Sequence, residues 1–182
     1  MAKPRPNPPA LHMLVAMVVL LIPVLLIVAW FTRIPEAAVN VVDYRPVVQV
    51  AREESPYPVL APESLPDGWV ATRARWIRKG ENGINNEPAL GNTMALGFLN
   101  ADKTYLAVDQ RDELPELFTR DVTRDGHPDG ESQVAGQQWL RFVSDDGRTH
   151  ALVRNEATHV SIVSGDVPYE QLEQFAGTLT TR

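Results

Sequence analysis

The chain of 182 residues contains no cysteine. That excludes disulfides, thiolate metal sites and cysteine nucleophiles, so any folded part rests on its packed core alone. Lysine is scarce too: Lys3, Lys79 and Lys103 stand against fourteen arginines. With the abundant Ala, Val and Pro, this bias reads as a GC-rich genome rather than a functional signal. The glycine patterns of phosphate and dinucleotide loops are missing, and so are Gly-x-Ser-x-Gly and His-Glu-x-x-His. From Tyr57 onward, 12 basic residues face 19 acidic ones, a net charge of −7. Such a surface repels phosphate backbones, which argues against nucleic acid as a partner.

One absence organises the rest. No charged residue lies between Arg5 and Arg33. The 21 residues Leu11 to Phe31 are apolar on all sides apart from His12, and Trp30 and Phe31 close the run. At about 1.5 Å per residue the run reaches roughly 31 Å, the hydrocarbon thickness of a bilayer. It predicts a transmembrane helix, kinked by Pro23, with the lipid bilayer as partner of residues 11–31. A buried core helix is rarely apolar all round. A cleaved signal peptide wants a shorter run and small residues at the cut, and Glu36-Ala37-Ala38 is a poor cleavage site. Lys3 and Arg5 before the run balance Arg33 and Arg45 after it, so charge does not orient it. The ten-residue tail is too short to be a domain. The expectation is a cytoplasmic N-terminus and a C-terminal domain outside the cell membrane.

The pattern divides the chain into a disordered tail (1–10), the span (11–31), a juxtamembrane connector (32–56) and an extracytoplasmic domain (57–182). Within the connector Pro46 opens a short helical pattern through Val47, Val50, Ala51 and Glu54. In the domain, Val70 to Ile77 reads as a strand that buries Val70, Thr72, Ala74 and Trp76. Thr93 to Leu99 and Thr104 to Gln110 read as a hairpin. Leu114, Leu117, Phe118 and Val122 recur at helical spacing. Turns at Ala135-Gly136 and Asp145-Asp146-Gly147 punctuate the later strands. Pro168 opens a terminal helix whose apolar face holds Tyr169, Leu172, Phe175, Ala176 and Leu179. The fold class is α+β: a mainly antiparallel sheet with helices packed on one face.

Candidates for chemistry are few. Asp125, His127, Asp129 and Glu131 alternate as calcium ligands do, yet Pro128 stiffens the stretch and the twelfth position is Gly136. A solvated turn is the reading there. His150 and His159 fall on neighbouring strands and, with a three-residue turn between them, on opposite faces. Ser161 and Ser164 lack a nucleophile elbow. Arg73, Arg75, Arg78 and Lys79 form the one basic cluster, which local acids are expected to pair, with contact to an anion or a lipid headgroup as the alternative. No catalytic, cofactor-binding or metal residue is therefore assigned, and no cofactor is implied.

The span together with Pro-Tyr-Pro-Val-Leu-Ala-Pro (56–62), Leu-Pro-Asp-Gly-Trp (65–69), Ala-Gly-x-x-Trp (135–139), Ala-Leu-Val-Arg (151–154) and Leu-Glu-x-Phe-Ala (172–176) resembles a family of actinobacterial single-pass membrane proteins defined only as a domain of unknown function. The resemblance implies an envelope location and transfers no catalytic residue. A membrane-anchored, non-catalytic binding or accessory domain of the cell envelope is the preferred expectation. The alternatives are an envelope enzyme, such as a metal-assisted hydrolase built on His127, and a small subunit of a membrane complex with a protein partner.

Overall fold

A computed structural model describes residues 10–31, 39–83 and 86–181. The tail 1–9 and connector residues 32–38 lie outside it. The chain divides into two compact units, Met1–Val39 and Asn40–Arg182.

In the first unit helix α1 runs Ala10–Phe31, 22 residues without an acidic first turn or a basic last turn, with Pro23 inside. From Met13 to Val28 its large apolar side chains are solvent-exposed, as is Trp30. The helix is thus where the sequence puts it. Its expected status as a span does not carry over: among the described residues no helix is long and apolar enough to cross a membrane.

The second unit is mixed α and β. Its strands are β1 (Ala61–Pro62), β2 (Val70–Ile77), β3 (Thr93–Leu99), β4 (Tyr105–Arg111), β5 (His127–Val134), β6 (Gln137–Val143), β7 (His150–Asn155), β8 (Val160–Gly165) and β9 (Leu179–Thr180). Seven of them form one antiparallel sheet in the order β2-β3-β4-β8-β7-β6-β5, and β1 pairs with β9 separately. Two meanders, β2-β3-β4 and β5-β6-β7-β8, thus join along β4 and β8. Between β5 and β6 the two turn residues Ala135 (φ 49°) and Gly136 (φ 76°) both lie in the left-handed region. A two-residue hairpin requires that backbone, and it suits the twist of the flanking strands.

Helix α2 (Arg45–Glu54), with Pro46 in its first turn, and helix α4 (Tyr169–Ala176) pack on one face of the sheet. That face presents Met94, Leu96, Phe98, Leu106, Val108, Leu152 and Val163, all fully buried. Phe175 of α4 is 3% exposed and lies 5.1 Å from the Trp69 ring and 5.4 Å from Phe98. Helix α3 (Pro115–Thr123) takes the other face, where Phe118 packs with Ala151, Val153, Val160 and Ile162. The helices therefore cover both faces, not one as expected. The cause is local: β8 is buried along its whole length, so alternate residues of it need cover on each side.

Four further expectations are corrected. Residues 45–54 are not a connector: Tyr44, Val48 and Ala51 join the core at i, i+4 and i+7 spacing, while Val50 stays exposed. The packed unit accordingly takes in chain well before Tyr57. In β2 a bulge between Ala71 and Arg73 flips the alternation, so Ala71 is buried with Ala74 and Trp76 facing the same core, and Arg73 and Arg75 face the opposite side. Leu179 is in β9, because α4 stops at Ala176 with Gly177 as its cap. Residues 127–130 belong to β5, an edge strand broken by a bulge between Pro128 and Glu131.

The proline-rich stretch 56–62 is fastened to the sheet by one buried residue. The Gln110 amide nitrogen donates to the carbonyl of Pro58 at 3.0 Å and to the Ser161 hydroxyl at 2.9 Å. Its carbonyl oxygen accepts from the Leu60 N–H at 2.7 Å.

Candidate functional site: a groove on the open sheet face

Where α3 does not reach, the second face of the sheet stays open over β2, β3 and β4. Register puts three rows of side chains there: Ile77–Thr93–Arg111, Arg75–Ala95–Asp109 and Arg73–Gly97–Ala107. The middle strand contributes only small residues, Thr93, Ala95 and Gly97, so the surface is concave. Helix α3 forms one wall with Phe118 and Val122, and the β2–β3 loop forms another with Pro88 and Leu90. The groove encloses about 510 Å³, within the range of small-molecule sites.

Gly97 is needed for this shape. A Cβ there would collide with the hydroxyl and ring of Tyr105 and would sit 3.0 Å from the Cβ of Arg73. Its absence lets the Tyr105 ring and the Arg73 side chain cross the strand. The Arg73 Nη2 then donates to Asp109 Oδ1 at 2.7 Å.

Asp109 is the chemical centre of the groove. Burial outweighs the attraction of Arg73 and Arg111 and pushes its pKa up to about 6. Burial likewise raises the Tyr105 phenol. Arg111 lies with its guanidinium 4.1 Å from the Phe118 ring centroid, and burial lowers its pKa despite nearby Asp121. Two guanidinium nitrogens, Arg73 Nε and Arg111 Nη1, are buried without a hydrogen-bond partner. Arg75 is exposed on the rim and makes no ion pair among the described residues. Buried carboxyls with displaced proton affinity in a cleft mark functional sites.

The residues singled out in the sequence meet different fates. Of the basic cluster, Arg78 pairs with Glu54 and Glu81, and Lys79 pairs with Glu113 at 2.6 Å, as expected of local pairing. Arg73 and Arg75 enter the groove instead. Asp125, His127, Asp129 and Glu131 do not converge: each is exposed, His127 faces Asp145 at 3.6 Å, and Asp129 accepts from the Tyr169 hydroxyl at 2.9 Å. Among the described residues no group of three His, Asp or Glu side chains is placed to hold a metal ion. His150 and His159 share the α4 face rather than opposing each other, because His150 pairs with Gly165. His150 meets the Tyr169 ring at 4.6 Å, and His159 stacks on Tyr57 at 4.8 Å. Burial lowers the His159 pKa, so it sits neutral in the core. Ser161 is buried and held by Gln110, and Ser164 lies along the groove.

Sequence reasoning missed Tyr105, Asp109 and Arg111. The signal was present: Tyr105-Leu-Ala-Val-Asp-Gln-Arg111 alternates, and it puts an acid and a base on one face of a central strand.

No curated protein and no solved structure matches the chain. A family model does match, over residues 7–179, nearly the whole length. The chain belongs to the family described as "Protein of unknown function (DUF4245)".

Proposed function

We propose that the protein is a membrane-anchored, non-catalytic binding module of the cell envelope whose folded unit holds a small ligand in the groove over β2, β3 and β4. The observation that carries the binding role is the groove itself. It is a concave, part-apolar cleft with a buried carboxyl and unpaired guanidinium nitrogens at its floor. Among the described residues no serine, histidine or second carboxyl is hydrogen-bonded to Asp109, which favours binding over nucleophilic catalysis in this reading.

Anchoring rests on residues 11–31. From Leu11 to Phe31 the sequence is apolar apart from His12 and carries no charged side chain. A helix exposing apolar side chains along its length is unfavourable in water and favourable in hydrocarbon. The folded unit carries no disulfide and a net charge of −8. The reading puts it outside the cytoplasm.

Three measurements test these proposals. The full chain should stay with membranes after alkaline carbonate extraction, and a chain starting at Asn40 should be released; retention of both refutes anchoring by α1. A phosphatase that folds only outside the cytoplasm, fused after Arg182, should be active; an inactive fusion alongside a fluorescent cytoplasmic one reverses the orientation. For the groove, native mass spectrometry of the extracted chain should show a bound small molecule that Ala95→Leu, which fills the floor, abolishes.

A further inference from the structure

Resting on the groove as a ligand site, we infer that its ligand is an amphiphilic acid: an apolar body ending in one carboxylate or phosphate. The head belongs at the three guanidiniums and the body along the small-residue floor toward α3.

The charge pattern argues for the head. Arg73, Arg75 and Arg111 project from three neighbouring strands around one carboxyl, Asp109. Asp109, Asp112 and Asp121 all act on Arg111, so the acids at the centre equal the three bases in number. Arg75 has no partner among the described residues, and one nitrogen each of Arg73 and Arg111 is buried unbonded. Those two nitrogens expose no surface to the groove, so an incoming anion meets the exposed Arg75 guanidinium first, and a charged acceptor bonds it most strongly. The remaining lining acids, Glu87 and Asp166, lie on the β2–β3 loop and beyond the end of β8, and Thr149 donates to Asp166 at 2.7 Å. The lining therefore balances four arginines against four acids on a unit whose overall charge is negative, and Arg75, a guanidinium without a partner among the described residues, is what an anion would meet.

The lining argues for the body. Ala95, Ala107 and Gly97 make a floor without polar side chains. Phe118 and Val122 stand on one side, and Leu90, 49% exposed, overhangs from the loop. A small free anion such as phosphate would leave this apolar surface wet. A neutral hydrocarbon would leave the guanidiniums unbonded. An amphiphile satisfies both.

The test uses the full chain in lipid nanodiscs and an octanoic acid carrying a diazirine on its chain, with adducts mapped by mass spectrometry. Adducts are expected on the peptides bearing Ala95, Ala107 and Phe118. Unlabelled octanoate or octyl phosphate should compete, and whichever competes at lower concentration identifies the head. Octyltrimethylammonium and octanol should not compete. Arg75→Ala should weaken labelling about tenfold, the scale of one charged hydrogen bond. Labelling that octanol competes equally well, or that Arg75→Ala leaves unchanged, overturns the acid while keeping the groove. Labelling confined to α1, or unaffected by Ala95→Leu in a variant that melts like the parent, overturns the groove as a site and the inference with it.

Discussion

Replacing Asp109 by Asn should make the protein more stable at neutral pH than the parent, and no more stable below about pH 4. The carboxyl has an ordinary pKa of 3.8 and is pushed to about 6 in the fold by burial, against the pull of Arg73 and Arg111. Folded protein therefore holds this proton more tightly than unfolded protein does. The linkage follows: stability associated with the protonated carboxyl is complete below about pH 4 and is lost as pH rises through about 6. A displacement of about two pH units corresponds to roughly 3 kcal/mol on the ionised form, at about 1.4 kcal/mol per unit. Asn is nearly isosteric with the protonated acid and still accepts from Arg73. The variant should match the parent only below about pH 4 and exceed it by up to about 3 kcal/mol near pH 7.5. Urea melts of residues 40–182 at several pH values, followed by tryptophan fluorescence, measure the difference; effects of other carboxyls cancel in it. The urea slope should be unchanged, showing that the unfolded reference is the same. A variant that loses stability relative to the parent as pH rises would refute the reasoning. It would mean that the ion pair with Arg73 at 2.7 Å outweighs burial.

Residues 40–182 should express as a soluble, cooperatively unfolding fragment, whereas residues 55–182 should aggregate, because removing Tyr44, Val48 and Ala51 uncovers Phe98 and its neighbours. Light scattering distinguishes the two. Phe175→Ala should cost about 3–5 kcal/mol in a urea melt, since the ring fills the space between Trp69 and Phe98. Glu173→Ala should cost about 1 kcal/mol, more than an ordinary surface change, because Glu173 accepts from Ser132 and Arg141 at 2.6 Å each. Those bonds hold the Glu173 pKa below the usual carboxylate range, so this contribution should vanish as pH falls through the lowered value. Gly97→Ala should displace the Tyr105 ring and cost about 1–3 kcal/mol by overpacking, seen as an altered near-ultraviolet dichroism.

Much of the fold could be read from local chemistry. The hairpin 93–111, the Ala135-Gly136 turn and the terminal helix follow from alternation, left-handed turn residues and helical spacing, and each depends on neighbours in sequence. What was misread depends on distant partners. The bulge at Thr72 is set by pairing with β3, and it changes the face only of the residues ahead of it, so that Ala71 is buried in place of Val70 and Thr72. Arg73 and Arg75 keep the open face that alternation gives them, and what distance in sequence hides is the Asp109 carboxyl two strands away. Helix α2 reads as a spacer because Tyr44, Val48 and Ala51, with Val47 beside them, pack on residues that lie far along the chain. The site was hidden for the same reason. Its floor is a set of small residues, Ala95, Gly97 and Ala107, which signal nothing until the register lays them side by side.

The two margins of the sheet are unequal. On β5, Pro128 lacks an N–H to offer a neighbour, the bulge interrupts the pleat before Glu131, and Asp129 and Glu131 place charge along the rim. Strand-to-strand polymerisation through that margin is thereby suppressed. On β2 the backbone is closed at its start, where the Val42 N–H donates to the Ala71 carbonyl at 2.9 Å, and the stretch from Ala74 to Ile77 borders a shallow cleft under Pro46, Val47 and Val50. That margin also carries charge, with Arg75 exposed within the stretch and Arg78 and Lys79 just beyond it, so the β2 edge is guarded by cationic side chains where the β5 edge is guarded by proline, a bulge and acids.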